Sequence, residues 1–292
     1  MYQNLAQLMK ERPVFSFEVF PPKADQPLEP LLDTLEHLYT FQPDFISCTY
    51  GAGGTNAGRN AEICQAIAKR GIAEPVAHIT CIANTKDAVR RQLDALLADG
   101  VHNILALRGD LPVGWENTLG DFSHANELIA FIRREYQHEF CIAMGASPEK
   151  HIEAKTFEED IANLLKKQEA GAEFIMTQLC FDPDAFFQWL GWIRQAGITL
   201  PVCAGVMPVL NKDGVIRMTV ATNGCSIPRP LAEIIARYYN DGSGFRAAGK
   251  AYTVELIRKF QNAQVNGLHI YTLNKYRDVS DILLSAGMEQ KG

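Results

Sequence analysis

The sequence predicts a (β/α)8 barrel, in which eight parallel strands form a closed ring with helices outside it. The first observation is that eight short runs rich in β-branched and aromatic residues recur along the 292 residues, with helical patterns between them. The second is that no GxGxxG motif follows the first run, which disfavours the alternative of an open doubly wound sheet. The third is length, since a barrel needs ~250 residues and the remainder fits extra helices between strands 7 and 8.

The strand predictions are taken in chain order. Each run is four to eight residues long and is bounded by Gly, Pro or Asp, the residues that commonly end strands. The predicted strands cover residues 14–20, 45–50, 76–81, 103–109, 141–145, 174–179, 201–207 and 268–274.

The helix predictions rest on apolar residues that recur with a period of 3.6. Thr156 followed by Glu159 has the spacing of a capping box, which marks the start of a helix. The interval 208–267 is longer than the others, and we expect three helices there, broken near 227–230 and at 241–244. The clearest single helices are predicted over residues 28–41, 86–100 and 156–172.

Composition excludes several classes of function. The net charge is −6 with both signs interspersed, so neither nucleic acid nor an anionic membrane is an expected partner. No apolar stretch reaches ~18 residues and the first residues lack a signal-peptide core, so we expect no membrane span and a cytoplasmic location. The seven cysteines include no CxxC pair and are expected to be buried thiols in a reducing compartment.

Polar side chains gather near the carboxyl ends of the predicted strands, an end that we call the mouth of the barrel. In the first strand Phe15, Phe17 and Val19 share one face, which is expected to meet the helices. Glu18 lies on the other face and is therefore expected to point into the barrel near the mouth. The same period places further polar residues at strand ends, namely His78, Thr80, Arg108, Asp110, Gln178 and Tyr271. Such a layout is typical of a ligand-binding barrel mouth.

In the fourth strand, Arg108 and Asp110 share a face and Leu105 and Leu107 lie opposite. An apolar environment disfavours the charged form of a carboxyl group, which makes Glu18 a candidate general acid. The alternative is that Glu18 forms a buried ion pair with Arg108.

His78 is expected to orient a ligand or contact a ring. A metal site is not expected, because no second His, Asp or Glu lies at ligand spacing. The residues alone thus predict an enzyme with an acid at the barrel mouth, and they leave its substrate open.

Eight short motifs carry a family resemblance. They are SFEVFPPK (16–23), SCTYGAGG (47–54), HITC (78–81), LALRGDLP (105–112), HIEAK (151–155), TQLCFD (177–182), GVMPV (205–209) and HIYTLNK (269–275). In this order and spacing the chain resembles the methylenetetrahydrofolate reductase family, in the compact bacterial form that consists of the catalytic barrel alone. The resemblance implies one FAD-binding catalytic domain over residues 1–292.

The family's activity is the reduction of 5,10-methylenetetrahydrofolate to 5-methyltetrahydrofolate in one-carbon metabolism. NADH or NADPH reduces the bound FAD and leaves, and the folate then takes its place. By resemblance, Glu18 matches the general acid that protonates folate N10, and Asp110 matches an acid near both flavin and pterin. Positions that match substrate contacts are Asp110, Gln178, Met218, Tyr271 and Lys275. The family also implies a homo-oligomer.

The positions that match FAD contacts come from several strand ends and from the segment after the fifth strand. They are Thr49, Tyr50, Ala52, His78, Arg108, Gly109, Asp110, Ala125, Ser147, His151, Ala154, Asp160, Asn163, Lys166 and Lys167. Four positions depart from the family pattern. Ser147 stands where relatives carry tyrosine, Met218 replaces a phenylalanine, and Lys166 and Lys275 replace arginines. A lysine keeps the charge but loses the bidentate fork of arginine.

Three alternatives remain open at this stage. The same reductase could receive electrons from a partner flavoprotein or iron–sulfur subunit. The chain could instead be a non-catalytic flavin- or folate-binding subunit. It could also be a cofactor-free lyase or aldolase that uses Glu18 and Asp110, although no lysine suited to a Schiff base is evident inside the barrel.

Overall fold

The computed structural model of the chain describes residues 2–50, 57–111, 114, 116–220 and 224–291. Eight strands form a closed barrel in the order of the sequence, and each neighbouring pair is parallel. The strands are β1 (Val14–Val19), β2 (Phe45–Cys48), β3 (Glu74–Thr80), β4 (Asn103–Leu107), β5 (Cys141–Ala146), β6 (Phe174–Thr177), β7 (Val202–Val206) and β8 (Gly267–Tyr271). The prediction of a (β/α)8 barrel is confirmed.

Helices separate the strands along the chain. They are α1 (Leu5–Glu11), α2 (Glu29–Tyr39), α3 (Ala57–Arg70), α4 (Lys86–Ala98), α5 (Ala125–Tyr136), α6 (Phe157–Glu169), α7 (Pro183–Gln195), α8 (Lys212–Val220), α9 (Arg229–Arg237), α10 (Gly242–Asn262) and α11 (Tyr276–Ser285). Thr156 caps α6, since its side chain accepts a hydrogen bond from the Glu159 backbone N–H at 3.2 Å. The three helices predicted between strands 7 and 8 are α8, α9 and α10.

Apolar residues fill the amino-terminal part of the barrel interior. We call this group the inner cluster; it consists of Leu5, Ala6, Leu8, Met9, Val14, Phe45, Val76, Leu105, Cys141, Ala143, Phe174, Met176 and Cys203, with Leu107 packed against it. Four of these residues belong to α1, which therefore covers the amino-terminal end of the barrel. Phe17 and Val19 lie on the opposite face of β1 and pack in the cluster between strands and helices. Any ligand of the interior must therefore enter from the mouth.

The end of β4 shows where simple alternation stops. Leu105 and Leu107 face the barrel interior, whereas Ile104 and Ala106 pack toward the helices. Continued alternation would turn Arg108 to the helix layer, but the strand ends at Leu107. Gly109 then adopts φ +84°, and a Cβ at this position would lie 2.7 Å from Ile82 Cγ1. The turn, and not the strand period, sets the direction of the residues after Leu107.

The seven cysteines are all buried and none is in a disulfide, as expected for buried thiols. Burial raises the pKa of Cys141 and of Cys203 to about 12. Within the described ranges no helix is long and apolar enough to cross a bilayer. In that same part of the chain, no group of three or more His, Cys, Asp or Glu is placed to bind a metal ion.

Candidate active site

Glu18 points into the barrel at the mouth. It lies opposite Ser47 of β2 and Tyr271 of β8 in the strand register, and only 6% of its surface is exposed. Its Oε2 atom lies 3.4 Å from Ser47 Oγ, 3.5 Å from His269 Nε2 and 3.7 Å from His78 Nε2. Three strands besides β1 therefore place polar groups around a single carboxyl oxygen.

His78 and Thr80 extend this group along β3. Both are buried, and neither His78 Nε2 nor Thr80 Oγ1 has a hydrogen-bond partner among the described residues. Burial lowers the pKa of His78 to about 4, against the smaller opposing effect of the Glu18 charge, so its imidazole is neutral at pH 7. A buried polar atom without a partner costs about 1–3 kcal/mol, so these two atoms suit the polar groups of a ligand.

Arg108 pairs with Glu153, so the alternative of a Glu18–Arg108 ion pair does not hold. Nη2 of Arg108 donates to Glu153 Oε1 at 2.8 Å, and Nη1 donates to the other carboxylate oxygen. This pairing raises the pKa of Arg108 and lowers that of Glu153. Because Glu153 lies in the segment between β5 and α6, the ion pair joins that segment to the end of β4.

The same segment and α6 carry most of the remaining predicted FAD positions. The His151 backbone N–H donates to Asp160 Oδ2 at 3.1 Å, and Asp160 is buried. Lys167 Nζ donates to the Gly145 carbonyl oxygen at 2.9 Å, and burial lowers the pKa of its ammonium group. The other positions here are Ser147 and Asn163, which are half-buried, Ala154, which is buried, and Lys166, whose ammonium donates to Asn163 Oδ1 at 3.0 Å.

Tyr271 closes the mouth on the β8 side. Its hydroxyl donates to the Thr177 carbonyl oxygen at 2.8 Å, and burial raises the pKa of the phenol well above its ordinary value. Gly205 is required beside it, since a Cβ there would lie 2.8 Å from Tyr271 Cε2. Gln178 follows Thr177 and is half-buried, with its Oε1 accepting from the Leu179 backbone N–H at 2.9 Å.

The remaining predicted residues occupy several places around the barrel. The Tyr50 side chain turns toward the helix layer, where its hydroxyl donates to Gln92 Oε1 at 2.9 Å. Met218 of α8 packs half-buried against an apolar cluster that includes Met207 and Phe245. Of the rest, Thr49 is half-buried after β2, Gly109 forms the turn after β4, Asp110 is exposed, Ala125 is buried at the start of α5, and Lys275 is exposed before α11. Ala52 lies outside the described residues.

The sequence patterns did not single out Ser16, Ser47, His269 or Glu153 as site residues. Ser16 and Ser47 are the small polar residues on the inner faces of otherwise apolar strands. His269 lies two residues before Tyr271, so the period of β8 places both on the same face. Applying the period to every polar residue of each strand, and not only to those at strand ends, would have found these three.

Comparison with known proteins gives consistent results. The family model described as methylenetetrahydrofolate reductase matches residues 2–287. The chain is 30% identical over 273 residues to 5,10-methylenetetrahydrofolate reductase of Escherichia coli, covering 94% of this chain and 90% of that protein. It is 33% identical over 286 residues to methylenetetrahydrofolate reductase (NADH) 1 of Arabidopsis thaliana, covering 94% of this chain and 48% of the relative. The chain spans about half the length of the plant relatives it matches.

Among solved structures, a protein from Clostridium thermocellum described as binding two copies of 5-methyl-5,6,7,8-tetrahydrofolic acid aligns with a TM-score of 0.64. The alignment covers 97% of this chain and 98% of that one at 15% identity, so it shows a shared fold. The match over residues 2–287 carries the assignment: the chain belongs to the methylenetetrahydrofolate reductase family.

Proposed function

We propose that the chain reduces 5,10-methylenetetrahydrofolate to 5-methyltetrahydrofolate with FAD as its cofactor and NADH or NADPH as the electron donor. The observation that carries the proposal is the buried Glu18 carboxyl at the mouth, with two histidines near one of its oxygens, in a chain of this family. A cytoplasmic location and a homo-oligomeric state are part of the same proposal.

The described residues fit a flavin dinucleotide. His78 Nε2 and Thr80 Oγ1 are buried and lack partners, so they can bond polar atoms of a ring seated in the mouth. Arg108 and Lys167 would hold the diphosphate, because charge-assisted hydrogen bonds from such cations to phosphate oxygens are strong. Asp160 and Asn163 suit the hydroxyl and amino groups of the adenosine half. When bound, FAD supplies the hydride that reduces the methylene carbon.

Glu18 supplies the proton that the folate needs. The methylene bridge must open before its carbon accepts a hydride, and protonation makes N10 a leaving group. In this step the Glu18 O–H bond breaks, an N10–H bond forms, and the bond from N10 to the bridging carbon breaks. General acid catalysis of this kind contributes typically ~10²–10⁴-fold. Asp110 is exposed at the mouth, where its carboxylate would accept hydrogen bonds from the pterin amino and ring N–H groups.

Anaerobic spectroscopy tests the proposal. Protein saturated with FAD is expected to lose the visible absorbance of oxidised flavin on addition of NADH or NADPH, and to regain it on addition of 5,10-methylenetetrahydrofolate, with 5-methyltetrahydrofolate formed in equal amount. Bleaching by a reduced ferredoxin but by neither nicotinamide would assign a partner subunit as the donor. If the flavin is reduced but never reoxidised by folate, the protein is a non-catalytic binding subunit. Failure to bind FAD at all would reject the proposal.

A further inference from the structure

His269 is a buried titratable group to which the chemistry above gives no role. It lies on β8 inside the barrel with 0% of its surface exposed, and its ring stacks on Phe45 of the inner cluster at 5.7 Å. Its two ring nitrogens face different groups. Nδ1 lies 2.8 Å from Ser16 Oγ, and Nε2 lies 3.3 Å from Ser47 Oγ and 3.5 Å from Glu18 Oε2. His269 therefore links the amino-terminal side of the interior to the acid at the mouth.

Proton counting at Ser16 indicates which tautomer of His269 fits the site. Ser16 Oγ carries one proton and lies 3.1 Å from the carbonyl oxygen of Leu268, which can only accept. If the Ser16 hydroxyl donates to that buried carbonyl, the Ser16 oxygen must accept from His269 Nδ1–H. This arrangement satisfies both groups and places the imidazole proton on Nδ1.

In this tautomer Nε2 is an acceptor that faces Ser47 and Glu18. Ser47 has one hydroxyl proton to donate. If Glu18 were a carboxylate, its oxygen and Nε2 would both be acceptors and would compete for that single proton. A protonated Glu18 completes a directed chain instead, in which Glu18 O–H donates to Ser47 Oγ and Ser47 O–H donates to Nε2. The tautomer of His269 thus favours the acid form of Glu18.

The other titratable groups around the hydrogen-bonded residues Ser16, His269, Ser47 and Glu18 do not carry charge at neutral pH. Burial lowers the pKa of His78 to about 4, raises that of Cys203 to about 12, and raises that of Tyr271 well above its ordinary value. The titratable groups that face Glu18 and His269 from β3, β7 and β8 are therefore neutral.

We propose that Ser16 fixes the Nδ1–H tautomer of His269, and that Nε2, acting through Ser47, keeps Glu18 protonated until it meets the folate. His269, Ser16 and Ser47 are thereby positioning residues that act through the acid. This inference rests on the proposed function and deepens it by naming what maintains the proton donor.

The proton balance of the cycle is simple. Glu18 gives its proton to folate N10 and becomes a carboxylate. The Ser47 hydroxyl lies 3.3 Å from His269 Nε2 and 3.4 Å from Glu18 Oε2. It then stops donating to Nε2, donates to Glu18 Oε2 instead, and so stabilises the new carboxylate. One proton from solvent restores the acid before the next turnover, and no other reactant is required.

Nitrogen-15 NMR of the FAD-saturated protein labelled at histidine tests the tautomer directly. The His269 signals are those missing from the His269→Gln variant. A protonated Nδ1 and an unprotonated Nε2 are expected near pH 7.5, and Ser16→Ala should move the proton to Nε2 in part or in full. An Nε2–H tautomer or a doubly protonated ring in the unsubstituted protein would overturn the proposal. The result does not depend on turnover, so it is separate from the test of the proposed function.

Stopped-flow kinetics of the two half-reactions tests the consequence. In Ser16→Ala an Nε2–H can donate toward Glu18 and favour its carboxylate. The pH at which flavin reoxidation by folate loses half its rate should therefore fall by ~1 unit. At high pH the variant should then be about 10-fold slower than the unsubstituted protein, and at low pH the two should react at the same rate. Reduction by NADH should be unchanged. Thr34→Ala is the control, since it removes a buried hydroxyl bonded to a backbone carbonyl in α2. If Ser16→Ala lowers the reoxidation rate equally at all pH values, or lowers the rates of both half-reactions, Ser16 has only a structural role.

Discussion

At the scale of single residues, Glu18 is the group on which the proposed chemistry depends. Glu18→Gln keeps the size and a hydrogen-bonding head but removes the acid proton. We expect NADH to reduce the flavin at an unchanged rate and reoxidation by 5,10-methylenetetrahydrofolate to slow by ~10²–10⁴-fold. Rapid-mixing absorbance measurements separate the two steps. Glu74→Gln changes a half-buried acid at the amino-terminal end of β3 and should leave both rates unchanged. Near-normal reoxidation in Glu18→Gln would remove the acid role.

His78 makes a second prediction, which concerns stability. Its folded pKa is lowered to about 4 from an ordinary value of 6.5, so between these pH values the unfolded chain binds more protons than the folded one. The free energy of unfolding contributed by His78 is therefore intact above pH ~6.5 and is lost as pH falls toward ~4, by roughly 3 kcal/mol.

Urea unfolding at several pH values measures this loss. His78→Gln does not titrate, so its stability should fall by roughly 3 kcal/mol less over that window than that of the unsubstituted chain. His124→Gln, at an exposed histidine, is the matched control and should behave like the unsubstituted chain. Parallel curves for His78→Gln and the unsubstituted protein would show that His78 titrates normally.

At the scale of elements, the turn after β4 constrains the mouth through Gly109. Gly109 and Gly100 both have positive φ, at +84° and +77°, but only Gly109 has close neighbours. Alanine at Gly100 should cost about 1 kcal/mol for its left-handed backbone alone. Alanine at Gly109 should cost about 1–3 kcal/mol more, because its Cβ must displace Ile82, and it should weaken FAD binding as well. Urea unfolding and flavin fluorescence titration of the two variants test the difference; equal costs would show that Ile82 moves freely.

Helix α1 gives a second prediction at this scale. Seven residues are too few for a stable isolated helix, so its packing under the barrel must hold it. Leu5 is fully buried there, and Leu5→Ala should lower the free energy of unfolding by about 2–5 kcal/mol. The affinity for FAD in the folded state should not change, since α1 lies at the opposite end from the mouth. Gln7→Ala, on the exposed side of the same helix, should cost little; a large effect on FAD affinity in Leu5→Ala would contradict this separation.

The elements also show what the sequence can and cannot predict. The strands and the breaks in 208–267 were predictable, because apolar runs, prolines and glycines act locally. The period of two separates the faces of a strand but does not say which face is inside, since both are apolar in a barrel. In β1 the carboxyl group of Glu18 indicates the inner face. In β4 no residue does so, and the period therefore placed Leu105 and Leu107 opposite the predicted polar face, whereas the structure places them inside the barrel. Ion pairs between distant segments, such as Arg108 with Glu153, leave no local signal at all.

At the scale of the whole molecule, the barrel is polarised along its axis. The inner cluster and α1 fill one end, and Glu18 with the unpartnered His78 Nε2 and Thr80 Oγ1 atoms lies at the other. The two cations that would meet a diphosphate also lie at that second end: Arg108, which pairs with Glu153, and Lys167, which donates to the Gly145 carbonyl oxygen. Binding and stability are therefore assigned to opposite ends, as is general for barrels of this class.

This polarity predicts where FAD protects the backbone from hydrogen exchange. Under the proposed function FAD binds the folded chain, so saturation at ~100 times its dissociation constant should stabilise the protein by about 2.7 kcal/mol. Mass spectrometry should show extra protection in the segments after β4 and β5 and in the first turns of α6, while α1 and the amino-terminal ends of the strands change only by the global amount. Arg108→Lys keeps the charge but loses the fork that pairs with Glu153, so it should reduce the protection that FAD adds to these segments, measured against the FAD-free form of the same variant. Protection centred on α1 would place the cofactor at the wrong end of the barrel and would remove the basis for every role assigned to the mouth.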